Sequence, residues 1–162
     1  MNLLMPAADP VIDEPEFQAQ HEELLSLRKK RILLIEEDWD FSQVLSHLLQ
    51  QHLGVNVEVV KNPYMALSKM IHEAFDVLIL DSKWNPYQVL LEAEQFFEPI
   101  IENQLFEIGK IPVVVLSSDP NLSLQGLESH YFRISALVVR SSEPRRMAQQ
   151  IENELNDILE LS

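Results

Sequence analysis

Five consecutive residues, Val77-Leu78-Ile79-Leu80-Asp81, constrain this chain more than any other stretch: four apolar side chains without alternation, then a carboxylate. An unbroken apolar run suits a strand buried on both faces, as in a parallel sheet covered by helices. Open α/β sheets take ligands outside the carboxyl ends of their strands, which makes Asp81 the first candidate for chemistry. Taken alone, an acid after a strand is as well explained as a loop residue or a helix cap. The rest of the chain has to decide between these readings.

Similar runs recur. Ile32 to Ile35 read as a buried strand ending in Glu36, Glu37 and Asp38, and Ile111 to Leu116 as another ending in Ser117 and Ser118. Val55 to Val60 alternate as a strand, and Ala136 to Val139 form a fifth that ends at Arg140. Between them lie helical patterns. From Asp40 to His52, Phe41, Val44, Leu45, Leu48 and Leu49 share one face, and Gly54 stands where a helix stops. Asn62-Pro63 reads as an N-cap with proline at the first helical position, and Ala66, Leu67, Met70 and Ile71 point inward from there. Asn85-Pro86, Asp119-Pro120 and Glu143-Pro144 offer further helix starts, the last leading into Met147, Ile151, Leu155, Ile158 and Leu159. Five strands alternating with five helices predict an α/β fold with a doubly wound, five-stranded parallel sheet.

The 162 residues are enough for one domain, and 46% apolar content supports a core. Residues 31–162 are read as that domain and residues 1–30 as an N-terminal extension, disordered at first and helical from Pro15 to Arg28. Three glycines cannot build a phosphate-cradling loop, so nucleotide-binding readings fail. The absence of cysteine excludes disulfides and thiolate chemistry and fits a reducing cytoplasm. No stretch approaches a membrane span, and no signal peptide is visible. A formal charge of −14 argues against direct nucleic-acid binding and permits a basic protein partner or a cation.

The strand ends therefore collect carboxylates (Glu36, Glu37, Asp38, Asp81), hydroxyls (Ser117, Ser118) and a cation (Arg140) at one edge of the sheet. Clustered carboxylates repel unless a cation joins them, and oxygen ligands with open water positions suit Mg²⁺. Asp81 is then a candidate nucleophile towards phosphorus, with Ser117 and Arg140 placed to hold phosphate oxygens. Each residue alone has a plainer role: cap, turn or surface charge. The five histidines (His21, His47, His52, His72, His130) have no ligand spacing and read as helix-surface residues. Trp39 and Trp84 lie in loops beside the site and read as packing over it rather than as a lid.

These motifs carry a resemblance. ILLIEEDWDF resembles the opening of the response regulator receiver domain, FDVLILD its third strand with the phosphorylated aspartate, PVVVLSS its fourth strand, and ALVVRS its fifth. The resemblance spans residues 31 to about 160. It implies a flavodoxin-like receiver fold in a cytoplasmic single-domain module of phosphorelay signalling. Asp81 is the implied phosphoacceptor, and Ser117 and Arg140 complete the site. Mg²⁺ is implied on Glu36, Glu37, Asp81 and the Lys83 carbonyl. The partners implied are a histidine kinase or phosphotransfer protein and a downstream protein.

Five positions depart from the family pattern, one of them Asn85, where a proline four residues after the aspartate is usual. Glu37 stands where the second acid is usually Asp, and Arg140 where a lysine is usual. Ser141 replaces the proline that normally follows, and Leu137 the switch aromatic. A second reading follows from these: a pseudo-receiver that works as an interaction or scaffold module without phosphate. A Mg²⁺-dependent phosphohydrolase is the third, disfavoured because Lys83 occupies the place of a second catalytic acid. Finally, the segment from Pro86 to Gly109 holds more apolar residues than one helical stripe can bury, which points to cover by the N-terminal helix or to a homodimer or partner contact.

Overall fold

In the computed structural model the strands and helices follow from where the apolar side chains go. The structure describes residues 29–81, 83–86, 88–95, 110–123 and 131–160. In chain order they form β1 (Arg31–Ile35), α1 (Trp39–Leu53), β2 (Asn56–Val60), α2 (Pro63–Met70) and β3 (Val77–Asp81). Then come α3 (residues 88–95, begun at Pro86), β4 (Ile111–Ser117), β5 (Phe132–Val139) and α4 (Pro144–Leu159). All five strands are parallel in the order β2-β1-β3-β4-β5. The doubly wound expectation holds, with four helices among the described residues.

Two cores flank the sheet, because alternate residues of each strand face opposite sides. Leu33, Ile35, Leu78, Leu80, Val113 and Val115 pack against Ala66, Leu67 and Met70 of α2 and Val89, Leu90 and Ala93 of α3. Ile32, Leu34, Val77, Ile79, Val114 and Leu116 pack against Leu45 and Leu49 of α1 and Met147, Ile151 and Leu155 of α4. The central strand β3 is buried along its whole length, as an unbroken apolar run requires.

Local chemistry fixes the helix ends. The Asp38 carboxylate accepts the Phe41 N–H at 3.1 Å and caps α1. Asn62 accepts the Met65 N–H at 2.8 Å and caps α2, with Pro63 at the first turn. Gly54 closes α1 at φ 67°, a left-handed conformation that favours glycine. The Val89 N–H donates to the Asn85 carbonyl at 3.1 Å and starts α3.

Three expectations need correction. β5 begins at Phe132 rather than Ala136, because Arg133 and Ser135 interrupt the apolar run while the backbone keeps pairing as an edge strand. Val44 is exposed, and Ser42 and Ser46 are buried in its stead: the close approach of α1 to the sheet and α4 selects small side chains. Trp39 is 58% exposed and belongs to neither core, since it lies in the first turn of α1 toward solvent. The helix expected after Asp119-Pro120 falls mainly on residues outside the described ones; residues 118–123 are bend, turn and irregular. The expected Pro15–Arg28 helix and most of the apolar Pro86–Gly109 segment likewise lie outside the described residues.

Where β1 and β3 begin, at the edge of the sheet away from Asp81, four charges interlock. Arg31 Nη2 bonds Glu58 at 2.9 Å and Glu73 at 2.8 Å, and Lys69 Nζ reaches both acids at 3.0 Å. The hydrogen bond from Arg31, then that from Lys69, holds the Glu73 carboxyl below its ordinary value. A depressed acid stabilises the fold above its unfolded pKa, and that contribution fades as pH falls through the folded value. Glu73→Gln is therefore expected to flatten the loss of stability below about pH 4.5, in urea titrations across the acid range. In the core, Ile79→Ala is expected to cost about 2–5 kcal/mol, whereas Val44→Ala stays within about 0.5 kcal/mol; chemical denaturation of both variants checks the burial pattern.

Candidate functional site

The parallel register sets the strand ends in a row. Ile35 pairs with Val60 and Leu80, Asp81 with Leu116, and Ser117 with Val139. Pairing continues one residue further: the Glu36 N–H donates to the Val60 carbonyl at 2.9 Å and the Arg140 N–H to the Ser117 carbonyl at 2.6 Å. Glu36, Asp81, Ser117 and Arg140 are thus delivered to one edge, as the sequence predicts.

Alternation then decides which side chains meet. Glu36 follows Ile32 and Leu34, and Asp81 follows Val77 and Ile79, onto the face covered by α1 and α4. β5 reaches that face through an irregularity. Phe132 and Ile134 point to the α2/α3 core, Ala136 and Val138 to the α1/α4 core. The switch falls at Ser135, the unmatched residue between the pairs Ile134–Val113 and Ala136–Val114. A bulge inserts one residue and so reverses the faces of everything after it. Without it Arg140 would continue the Phe132–Ile134 parity, away from Asp81.

Arg140 Nη1 bonds Glu36 Oε2 at 2.9 Å and also bonds Asp81 Oδ2. Its guanidinium lies over the Phe41 ring, 4.6 Å from the centroid, which fixes the plane of the fork. Both acids are buried, Glu36 at 2% exposure and Asp81 at 7%. Burial lowers the pKa of Arg140, but the Glu36 hydrogen bond and the charges of Glu36, Asp81 and Asp38 outweigh it and raise the net value. The cation stays charged throughout any working pH. The remaining oxygens are also engaged: Asp81 Oδ1 accepts the Lys83 N–H at 3.0 Å, and Glu36 Oε1 accepts the Asp38 N–H at 3.1 Å.

Around this pair lies an open pocket of about 480 Å³ lined by Glu36, Glu37, Asp38, Asp81, Lys83 and Arg140. Glu37 is exposed and pairs with the Lys83 ammonium, which also sits 5.1 Å from the Trp84 ring centroid. Trp84 packs against the α2/α3 core, as expected for it, with its Nε1 buried and without a hydrogen-bond partner among the described residues.

Ser117 is delivered to the edge but not to the acids. It lies on the α2/α3 side of β4, and its hydroxyl donates to the Asp119 carbonyl and accepts the Asp119 N–H, both at 3.0 Å. Sequence reasoning missed Phe41 as the shelf under Arg140, the Lys83–Glu37 pair, and the Ser135 bulge. Only the last had a readable signal, a polar residue interrupting an apolar edge strand.

A divalent ion of the kind proposed from sequence would need Glu36, Glu37, Asp81 and the Lys83 carbonyl to converge. In this arrangement they do not fit one. Protein cations already join the carboxylates, and among the described residues no group of three or more His, Cys, Asp or Glu is placed to hold a metal.

The sheet order, the acids at the ends of β1 and β3 and the cation after β5 can now be set beside known structures. A phosphorylated cyanobacterial phytochrome response regulator, RcpA, matches with a TM-score of 0.57 and 19% identity, over 83% of this chain and 97% of that one. A CheY-like receiver domain from Methylobacillus flagellatus matches at 0.56 and 14% identity, over 81% and 99%. The response regulator TrrA of Thermotoga maritima, solved in complex with Mg²⁺-BeF, matches at 0.50 and 19%, over 78% and 99%. This is the receiver-domain fold. No protein-family model matches the chain, and no curated protein matches it significantly. Among the described residues, no helix of this receiver fold is long and apolar enough to cross a membrane.

The position of Ser117 gives a direct check. Ser117→Ala is expected to lower stability by about 0.5–1.5 kcal/mol, because the buried hydroxyl's two hydrogen bonds to the Asp119 backbone are lost. The guanidinium NMR signal of Arg140 is expected to stay in place, since the hydroxyl does not touch the acidic pair.

Proposed function

We propose that this chain is a receiver-type module of two-component signalling that works by binding protein partners, without needing a phosphoryl group on Asp81. One observation carries the reading: both Asp81 oxygens are engaged, one by the Lys83 N–H and the other by Arg140, which simultaneously holds Glu36. A carboxylate in a buried, charge-assisted pair is a poor nucleophile, because attack requires the pair to open and leaves Glu36 unneutralised. Ser117, the family's other phosphate-holding position, is engaged with its own loop. Leu137 has no polar tip with which to report a change at the site. With a net charge of −14, the partner that fits is a protein with a basic face rather than nucleic acid.

A second reading has its own support. Asp81 ends the central strand beside an open pocket, a cation stands next to it, and the structures of similar fold include a phosphorylated one and one with Mg²⁺-BeF. On that reading the chain is a phosphorelay receiver taking its phosphoryl group from a histidine kinase or phosphotransfer protein.

Intact-mass measurement after incubation with Mg²⁺ and acetyl phosphate separates the two. The expected outcome is no adduct under conditions that modify an ordinary receiver. A gain of about 80 Da that disappears in Asp81→Asn would establish the phosphorelay reading instead.

A further inference from the structure

We infer that Arg140 is the resident cation of this site, a side chain that does in place the charge-joining work for which the fold otherwise recruits a divalent ion. The inference rests on the phosphate-independent reading above and adds what holds the pocket together. Three observations lead to it. Glu36 and Asp81 are buried next to each other at the ends of adjacent strands, so some cation must join them. Arg140 does so with one nitrogen bonded to both carboxylates. Its placement is built rather than incidental: the Phe41 ring supports the guanidinium, the backbone N–H is fixed to the Ser117 carbonyl, and the Ser135 bulge turns the residue onto this face.

Competition with an ion follows from the same geometry. Mg²⁺ gives up its water reluctantly and demands near-octahedral oxygens. To enter, it would have to break both Arg140 bonds and leave the guanidinium beside a second, doubly charged cation. The outer acids do not compensate. Glu37 is paired with Lys83, and an Asp38 oxygen caps α1. A tethered guanidinium also meets its carboxylates at a high effective concentration, whereas a free ion does not. Wild-type protein is therefore indifferent to divalent ions, and loss of Arg140 exposes a latent dication site.

Thermal unfolding in EDTA and in millimolar MgCl₂ tests this on the wild type, Arg140→Ala and Arg140→Lys. The wild-type midpoint is expected to be the same in both buffers. Arg140→Ala is expected to melt lower in EDTA and to gain about 4 °C or more with MgCl₂. Arg140→Lys, which keeps the charge but loses the guanidinium's contact with the Phe41 ring, is expected to lie between them. MnCl₂ quenching of Trp84 fluorescence, read in a Trp39→Phe background, supplies a second readout, absent with Arg140 intact and present in Arg140→Ala. A wild type that gains stability from MgCl₂ as the variants do overturns the inference. So does a folded Arg140→Ala that shows neither a midpoint rise nor quenching. If Arg140→Ala fails to fold, the wild-type and Arg140→Lys arms decide by the same criteria. The outcomes separate from those of the functional reading: a metal-indifferent wild type that accepts a phosphoryl group keeps the inference and removes the reading beneath it.

Discussion

Two buried carboxylates joined by one guanidinium are the constraint on which this edge of the molecule depends. A parallel sheet brings the carboxyl ends of its strands to one side, and the register here puts Glu36 and Asp81 on the same face. Leaving such a pair unneutralised costs several kcal/mol per ion, far more than surface charges cost. Arg140 meets that demand and, in doing so, connects four elements. Its side chain touches the ends of β1 and β3 and the first turn of α1, and its backbone pairs with β4. Truncating it would leave two facing acids with no counter-charge, the arrangement that typically costs about 3–5 kcal/mol when a buried pair is broken.

The opposite edge is built on a different principle. Arg31, Lys69, Glu58 and Glu73 form a closed ring of two cations and two anions, partly exposed to water. Each charge there has two partners and solvent screening, so that edge is electrically complete. The Asp81 edge is not: four carboxylates line its pocket against two cations. The excess negative charge is carried by the exposed side chains Glu37 and Asp38, which face solvent. The buried acids thereby serve cohesion, and the exposed ones face solvent.

Much of the fold was legible because burial on both faces leaves unbroken apolar runs, and β1, β3 and β4 are such runs. The helix ends at Asn62 and Gly54 were equally readable, since each satisfies a backbone requirement that few residue types meet. What escaped was set by tertiary geometry. The start of β5 was hidden because an edge strand tolerates Arg133 and Ser135 on its solvent-facing positions. The buried face of α1 was misjudged at Val44 because helix spacing cannot tell a large inward residue from an outward one when Ser42 and Ser46 hold the contact. For the site, the strand ends named its members, but which of them touch depended on a side-chain parity that a single bulge reverses.

That bulge bears on why Arg rather than Lys suits the position. A lysine ammonium is a compact, strongly hydrated point charge on a flexible stem, with no planar face to stack on a ring. A guanidinium is planar, weakly hydrated and able to stack, so it profits from the Phe41 ring beneath it and from two acids at once. The same chain that carries Arg140 carries Glu36 and Glu37, acids whose extra methylene lets a carboxylate reach a cation held by another strand. Glu36 uses that reach toward Arg140, and Glu37 toward Lys83. Longer acids and a longer, forked base are thus one matched set: each spans from its own strand or loop to a protein charge on another. Arg140 meets Glu36 and Asp81 while Lys83 meets Glu37, so three ion pairs within the protein join the carboxylates of this edge.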